Sequence, residues 1–459
     1  MIPEYLKLQN ILVYLWHMEN SLKEATEIVK VLQKNGFVAY FAGGTVRDML
    51  LRKESPDIDI ATSATPDEIE KLFEKTIPIG KSFGVIIVNQ GGTNFEVATF
   101  RKEAGYLDRR RPQSVSFTEA KEDAIRRDFT INGMFYDPVA KKTIDYVGGE
   151  EDIKKRTVRF IGDPNDRINE DNLRLLRAIR FKTTLGFQYE QMTFEAVRSH
   201  SSLIKNVSAE RIRDELDKIM ANKNRHLGLI ELSESGLLRE ILPEVENLKE
   251  VPQPVQFHKE GDVFVHIYLA LKALEVDGHS HLAWAILLHD IAKPQTLIKE
   301  GERIIFHDHA EESAKVADKI LTGLKFPNYE KNEIVWLVEN HMKIAQIDKM
   351  RPYKKYLFVS NPKFNDLTRL AKYDALGTYP QDTKFLKTIE AQAQKAIEWG
   401  ENQSKKVSAF ISGDDLIKLG LEPSEKFKKI LEDVNELHLE DKFASKEEAM
   451  SYIKEKYLK

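Results

Sequence analysis

Apolar positions change their rhythm partway along the chain. Leu22, Ala25, Ile28, Val29 and Leu32 recur at helical spacing, which predicts a helix within residues 1–35 that stops at Asn35-Gly36. Shorter runs follow. Phe37-Val-Ala-Tyr-Phe41 predicts a strand that delivers the chain into Gly43-Gly44. Thr65-Pro-Asp-Glu68 reads as an N-cap with proline at N1 and acids in the first turn, opening a helix through about Lys75. Val85–Val88 and Phe95–Phe100 predict strands joined by a turn at Gly91-Gly92. The segment Arg101–Pro112 is basic, contains Gly and Pro and has no periodicity, so a mobile loop is expected. From about residue 150 onward nearly everything has helical spacing, including the stripe Leu173, Leu176, Ile179 and the apolar run Leu282–Leu288. Breaks are expected near Val251-Pro-Gln-Pro254 and near residues 404–407. The fold class is therefore α+β, a mixed head with antiparallel strands followed by helical segments.

Composition narrows this only slightly. The chain has 459 residues, room for three or four domains. It is 42% hydrophobic and 31% charged, the balance of a well-packed soluble protein. Cysteine is absent, which excludes disulfides and thiolate-bound zinc. No apolar run approaches the roughly 20 residues that span a bilayer. Ile11–Trp16 is short and lacks a cleavage pattern, so no signal peptide and a cytoplasmic location are expected. The net charge of −4 gives no general attraction to nucleic acid, so such a partner must be argued from local clusters.

Three clusters carry candidate chemistry. In the first, Gly43 and Gly44 precede Arg47 and Asp48, and Asp57 and Asp59 follow within fifteen residues. If Ile58 and Ile60 lie in a strand, both aspartates point to one face. Two carboxylates beside a glycine turn suit a divalent cation carrying a nucleoside triphosphate. Either feature alone is common on solvated turns; their combination is the signal. Glu96, on the strand after the Gly91-Gly92 turn, is a candidate third carboxylate or an edge residue in water. In the second, Arg126-Arg127-Asp128 with Asn132 mixes phosphate donors with groups able to read a sugar or base edge. In the third, Asp171 and Arg174 stand three apart, with Arg177 and Arg180 following on the same run. An acceptor-only carboxylate beside a donor-only guanidinium makes an edge able to pair with a nucleobase, or an ordinary helix salt bridge.

Taken in order, Gly-Gly-x-Val-Arg-Asp, Asp-x-Asp, Arg-Arg-Asp-x-x-x-Asn and Glu-Asp-x-x-Arg resemble the class II tRNA nucleotidyltransferase and bacterial poly(A) polymerase family over about residues 25–240. The resemblance implies a polymerase-β-type head at 1–150, a helical neck at 151–250, a body at 251–405 and a tail at 406–459. It implies that Asp57 and Asp59 hold catalytic Mg²⁺, and that Gly43, Gly44, Arg47 and Asp48 serve the triphosphate. It further implies that Arg126, Arg127, Asp128 and Asn132 contact sugar and phosphates, and that Asp171 and Arg174 pair with the base of CTP or ATP. The expected partners are the tRNA 3′ end, CTP and ATP, with no membrane. The motifs are common to enzymes that add CCA, enzymes that add A alone and poly(A) polymerases. The basic loop matches the family's flexible loop, and residues 207–214 match its neck, making Arg211 and Arg213 candidate phosphate contacts or plain surface charges.

A separate pattern occupies the second half. His266, the adjacent pair His289-Asp290, His309, His341 and Asp374 sit on separate predicted elements, and an imidazole–carboxylate set without cysteine suits a divalent transition metal. It resembles the HD phosphohydrolase superfamily. That resemblance implies His266, His289, Asp290 and Asp374 as core ligands, His309 and His341 as an additional pair, and hydrolysis of phosphate or cyclic-phosphate ends. His258 and His307 are expected outside the ligand set. In the tail, Gly413 and Gly420 bracket a short helix, and Lys426, Lys428 and Lys429 follow on another, a candidate RNA-backbone surface or a solvated face.

Overall fold

The computed structural model describes residues 20–53, 57–106, 112–256, 258–276, 280–301, 303–403, 411–440, 442–443 and 445–458. The expectations for residues 1–19 and for the tip of the basic segment, 107–111, lie outside them. The chain divides into two compact units, Met1–Pro243 and Glu244–Lys459.

The first unit is built on a seven-stranded sheet with strand order β3-β4-β5-β2-β1-β8-β9. Its strands are β1 (Ala39–Ala42), β2 (Ile60–Thr62), β3 (Thr76–Gly80), β4 (Val85–Gln90), β5 (Thr93–Thr99), β8 (Phe135–Asp137) and β9 (Lys142–Ile144). All neighbours are antiparallel except β2 and β5, where Ile60 lies opposite Val97. The first helix, over residues 20–34, places Ala25, Ile28, Val29 and Leu32 at 0% exposure, as its spacing requires. The helix Pro66–Leu72 opens at the expected N-cap Thr65 with Pro66 at N1, adds a capping box between Thr65 and Glu68, and stops at Leu72, short of Lys75. The hairpin β4–β5 turns at Gly91-Gly92.

Two expectations are corrected here. The basic segment is not a loop at its ends: β6 (Arg101–Tyr106) pairs antiparallel with β7 (Pro112–Phe117), with Arg101 opposite Phe117. Its sequence lacks apolar alternation, so the strands show only in their backbone pairing. The aspartates also precede the strand rather than lying in it, since β2 starts at Ile60. Their backbone is fixed by Thr45, whose hydroxyl donates to the Asp57 carbonyl at 3.2 Å and accepts from the Asp59 N–H at 3.0 Å. The Asp59 carbonyl then accepts from the Ala42 N–H at 2.9 Å, joining the sheet.

The helices of the first unit include Arg174–Leu185, Ala209–Met220 and Arg225–Glu234. Leu173, Leu176 and Ile179 are all buried, and Phe129 stacks on Phe160 at 4.6 Å and meets Phe181 edge-on at 5.3 Å. A two-residue parallel pairing of β10 (Thr157–Val158) with β11 (Gln188–Tyr189) was not visible as a pattern.

Among its described residues the second unit is helical apart from one hairpin, β12 (Leu297–Glu300) with β13 (Arg303–Phe306), which the helical spacing did not announce. Its helices include Val263–Ala273, His281–Leu288, His309–Gly323, Asn328–Asn340 and Phe364–Gly377. The run Leu282–Leu288 is fully buried. In the tail, helices Gly413–Lys418, Glu425–Leu439 and Lys446–Tyr457 close over Ile411, Leu416, Ile430, Val434, Ala449 and Ile453.

Candidate functional site

In the first unit the three motif clusters open onto one cleft of about 690 Å³. The glycine turn forms one edge. Gly43 adopts φ 64°, and a Cβ there would stand 2.8 Å from Arg127 Nη1, so the turn needs glycine for both conformation and space. Asp57 and Asp59 line the cleft and are open to it, as is Glu96 from β5. The Asp59 carboxyl is raised from its ordinary value by partial withdrawal from water, opposed by Arg127 and reinforced by Asp57. Glu96 is raised in the same way, with Asp59 as its next cause. Carboxylates that raise one another in this fashion are a fitting donor set for a divalent cation.

The arginines are held rather than loose. Asp123, 1% exposed, accepts from Arg126 Nε and Nη2 at 2.9 and 2.6 Å through Oδ1, and from Arg127 Nε and Nη2 at 3.1 and 3.0 Å through Oδ2. It also accepts the backbone N–H of Arg101, at the base of the β6–β7 hairpin, at 3.2 Å. Arg47 is gripped by Asp48 at 2.9 and 2.8 Å and donates to Asn132 Oδ1 at 2.8 Å. Asn132 donates to Asp128 Oδ1 at 3.2 Å, and Arg177 donates to Asp128 Oδ2 at 2.6 Å. This relay runs from the glycine turn to the helix Arg174–Leu185. Burial alone would raise Asp128, yet Arg177 and Arg174 hold it down at about 2. Asp128 and Asn132 thus meet across a 3₁₀ turn at residues 130–132. Phe181 collects three guanidiniums over its ring, Arg180 at 4.0 Å, Arg177 at 5.3 Å and Arg47 at 5.4 Å.

Asp171 and Arg174 both line the cleft but do not pair with each other's side chains, which corrects the salt-bridge alternative. Arg174 donates to Glu170 at 2.6 Å and to the Arg167 carbonyl at 2.8 Å. Asp171 accepts two bonds from Arg211, at 3.1 and 2.7 Å. Arg211 lines the cleft, whereas Arg213 turns to Asp214 at 2.8 Å. Asp48 is the one predicted nucleotide-site residue that does not line the cleft, acting on Arg47 instead. Sequence reasoning missed Asp123, Thr45, Phe181 and Glu215; Asp123 alone left a local signal, an acid three and four residues before two arginines.

In the second unit all six predicted ligands converge. His266, His289 and Asp374 form one group of donors, and Asp290, His309 and His341 another, each within 4.8 Å. Asp290 faces both groups, with Oδ2 3.2 Å from His289 Nε2 and Oδ1 3.4 Å from His309 Nε2. Three imidazoles turn Nδ1 to a backbone carbonyl: His289 to Ile286 at 2.8 Å, His309 to Phe306 at 3.2 Å, His341 to Val338 at 2.7 Å. With Nδ1 donating, each Nε2 presents a lone pair inward. His309 Nε2 faces His341 Nε2 at 3.3 Å, and His266 Nε2 faces His289 Nε2 at 3.4 Å. Two ring nitrogens facing at that distance need a proton or a metal cation between them, and six converging imidazole and carboxylate donors are a set that fits a metal. Burial would lower His289, yet Asp290 and then Asp374 push it up to about 10, a measure of how strongly the cluster attracts positive charge. His258 bonds Glu260 at 2.6 Å and packs edge-on against His266, while His307 is exposed, so both stay outside the inner set. Sequence reasoning missed Glu260 and Lys293, the latter 2.7 Å from Asp290 and 6% exposed.

Residues 39–159 match the Poly A polymerase head domain, 186–249 the family described as probable RNA and SrmB- binding site of polymerase A, and 265–371 the HD domain. The fold and cleft thus define a polymerase-type nucleotidyltransferase head carried on the same chain as an HD domain. A CCA-adding enzyme of Enterococcus faecalis is 35% identical over 318 residues, covering 66% of this chain and 78% of that protein. The chain belongs to the CCA-adding enzyme family. A CCA-adding enzyme of Bacillus pumilus is 46% identical over 207 residues, 45% of this chain, and the match spans about half of that relative's length, 52%. The crystal structure of Bacillus stearothermophilus CCA-adding enzyme in complex with CTP shares the fold, with TM-score 0.67 and 24% identity over 94% of this chain and 96% of that one.

Proposed function

We propose that the protein is a template-independent RNA nucleotidyltransferase that adds C, C and A to the 3′ end of tRNA from CTP and ATP. The reading rests on one observation: the carboxylates Asp57, Asp59 and Glu96, the arginines around Arg127, and the Asp171/Arg174 edge line the same cleft. Asp57 and Asp59, with Glu96 beside them, would hold Mg²⁺, which when bound neutralises the triphosphate and steadies the attacking and leaving oxygens. Arg47, Arg126 and Arg127 orient phosphates in fixed directions because Asp48 and Asp123 hold their planes. Gly43 and Gly44 let backbone approach the phosphates. Asp128 and Asn132 fix the position of the sugar through the relay to Arg177. Asp171 accepts from, and Arg174 donates to, the exposed edge of cytosine or adenine; Arg177 and Arg180, further along the helix that Arg174 opens, complete the nucleotide-binding side of the cleft.

The proposal keeps the division into head 1–150, neck 151–250, HD body 251–405 and tail 406–459, with a cytoplasmic location. No described helix is long and apolar enough to cross a membrane. The inward-facing Nε2 atoms favour a second activity in the HD body, metal-dependent hydrolysis of phosphate or cyclic-phosphate ends, with His266, His289, Asp290, His309, His341 and Asp374 as ligands.

The test offers the purified protein tRNAs ending at the discriminator base, at CC and at CCA, with CTP and ATP singly and together. Full CCA addition to the shortest tRNA is expected. Addition only to tRNA ending in CC would make it an A-adding enzyme, and long adenylate tails on unrelated RNA a poly(A) polymerase. Asp57→Ala with Asp59→Ala should abolish addition; unchanged addition would sink the proposed chemistry.

A further inference from the structure

The base-reading edge carries a feature that its roles do not require. Asp171, in extended backbone between helices Pro164–Glu170 and Arg174–Leu185, is gripped from a third element: Arg211, on helix Ala209–Met220, donates Nη1 to Oδ1 at 3.1 Å and Nη2 to Oδ2 at 2.7 Å. Oδ1 also accepts the Leu173 N–H at 3.1 Å. A forked guanidinium fixes the plane of a carboxylate, because both oxygens must stay in line with both nitrogens. One turn further along the same helix, Glu215 accepts from Arg180 at 2.5 Å. The same helix face therefore clamps the approach to helix Arg174–Leu185 at Asp171 and its body at Arg180.

We infer that Arg211 is a specificity-determining positioning residue: its fork sets the plane of Asp171, so the carboxylate presents a fixed acceptor to the incoming base. The inference rests on the base-reading role proposed for Asp171. Its consequence lies in what is rejected. Cytosine and adenine offer an amino donor on the edge that Asp171 would meet, whereas uracil and guanine offer a carbonyl acceptor there. A fixed acceptor opposes a carbonyl oxygen in every approach. A carboxylate free to rotate turns away and lets a carbonyl-bearing base in. Arg211 brings both a charge and a fork to Asp171; a lysine would supply the charge without the fork, so the two contributions separate.

The experiment measures kcat/KM for CTP and for UTP at the first addition to tRNA lacking CCA, in wild type, Arg211→Lys and Arg211→Gln. The ratio of the two substrates on one preparation cancels any loss of folded protein. A tenfold or greater fall in the CTP-over-UTP ratio is expected for Arg211→Gln, with Arg211→Lys falling by nearly as much. Equal losses for both nucleotides would overturn the inference and make Arg211 a phosphate contact or a structural cation. In a second arm, Asp171→Asn and the double variant Asp171→Asn with Arg211→Gln should discriminate alike, since the fork acts only through Asp171. A further fall in the double variant would also overturn it. Failure of wild type to add any nucleotide to tRNA would instead remove the proposed function, an outcome separate from either arm.

Discussion

Replacing Asp123 by asparagine tests whether Arg126 and Arg127, the arginines proposed to bind phosphate, are oriented by a single carboxylate. The side chain is 2% exposed and holds two guanidiniums that are 21% and 19% exposed. Asparagine keeps the shape but loses the charge, and its amide NH₂ must face one of the guanidinium edges, donor against donor. Breaking a buried ion pair by removing one partner costs about 3–5 kcal/mol. The guanidiniums keep some water, so the lower end, about 3 kcal/mol, is the expectation. The same carboxylate receives the Arg101 N–H, so the loss should spread to the base of the β6–β7 hairpin. Hydrogen exchange reads local opening directly. Amides in residues 120–132 and at Arg101 should exchange faster by roughly a hundredfold, the equivalent of that energy. The KM for nucleotide should rise with them, because the phosphate donors lose their fixed planes. Asp123 is held below the ordinary carboxylate range: burial would raise it, but Arg127 and Arg126 outweigh burial. Its stabilisation is therefore present above the unfolded carboxylate value and fades as pH falls through the lower folded one. The difference between wild type and Asp123→Asn should shrink below about pH 4. Less than about fivefold faster exchange at neutral pH, with an unchanged KM, would refute the reasoning.

Other consequences follow from the same contacts. Asp128, held at about 2 by Arg177 and Arg174, should contribute about 2 kcal/mol at neutral pH that disappears as pH drops from about 4 toward 2; urea unfolding of wild type and Asp128→Asn at pH 7 and pH 3 measures it. Gly43→Ala forces a positive-φ backbone on a residue with a Cβ and pushes on Arg127, so about 1–3 kcal/mol of strain and a marked loss of nucleotide addition are expected in thermal melts and turnover. His289→Ala with Asp290→Ala should strip metal from the second unit by elemental analysis and abolish hydrolysis of a 2′,3′-cyclic phosphate, leaving nucleotide addition in place.

Features set by local chemistry were legible in the sequence. The N-cap at Thr65, the turn at Gly91-Gly92 and the buried run Leu282–Leu288 each depend on neighbours within a few residues, and each lies where its pattern puts it. The clusters around Asp57, Arg127 and Asp171 were legible as candidates, because their residue types restrict the chemistry. What the sequence concealed was pairing. Arg177 meets Asp128, Arg180 meets Glu215 and Asp171 meets Arg211 across separations of 49, 35 and 40 residues, and no periodicity marks such partners. The hairpin β6–β7 escaped for a related reason: Arg101-Lys-Glu-Ala-Gly-Tyr106 has no alternating apolar face, so its strand character exists only in its backbone bonds to Pro112–Phe117. The cluster of imidazoles and carboxylates in the second unit was easier to find, since such groups on apolar helices are costly to bury singly.

Those hidden partners change how the cleft must work. A roster of arginines suggests a strongly positive hole for a triphosphate, yet Arg47, Arg126, Arg127, Arg177, Arg180 and Arg211 each already touch a carboxylate. Their donors are aimed, but much of their charge is spoken for. Glu96, meanwhile, is raised by burial and by Asp59 and Asp57, so the carboxylate edge of the same cleft repels an incoming anion. A triphosphate should therefore bind well only together with a divalent cation that cancels this repulsion. Titration of ATP into the protein by calorimetry should show at least a tenfold weaker affinity in EDTA than in Mg²⁺, about 1.4 kcal/mol. Asp57→Asn with Asp59→Asn should reduce that difference by relieving the repulsion and removing the cation's ligands together. Equal affinity with and without the cation would mean that the arginines alone hold the nucleotide, and that their carboxylate partners give way when it arrives.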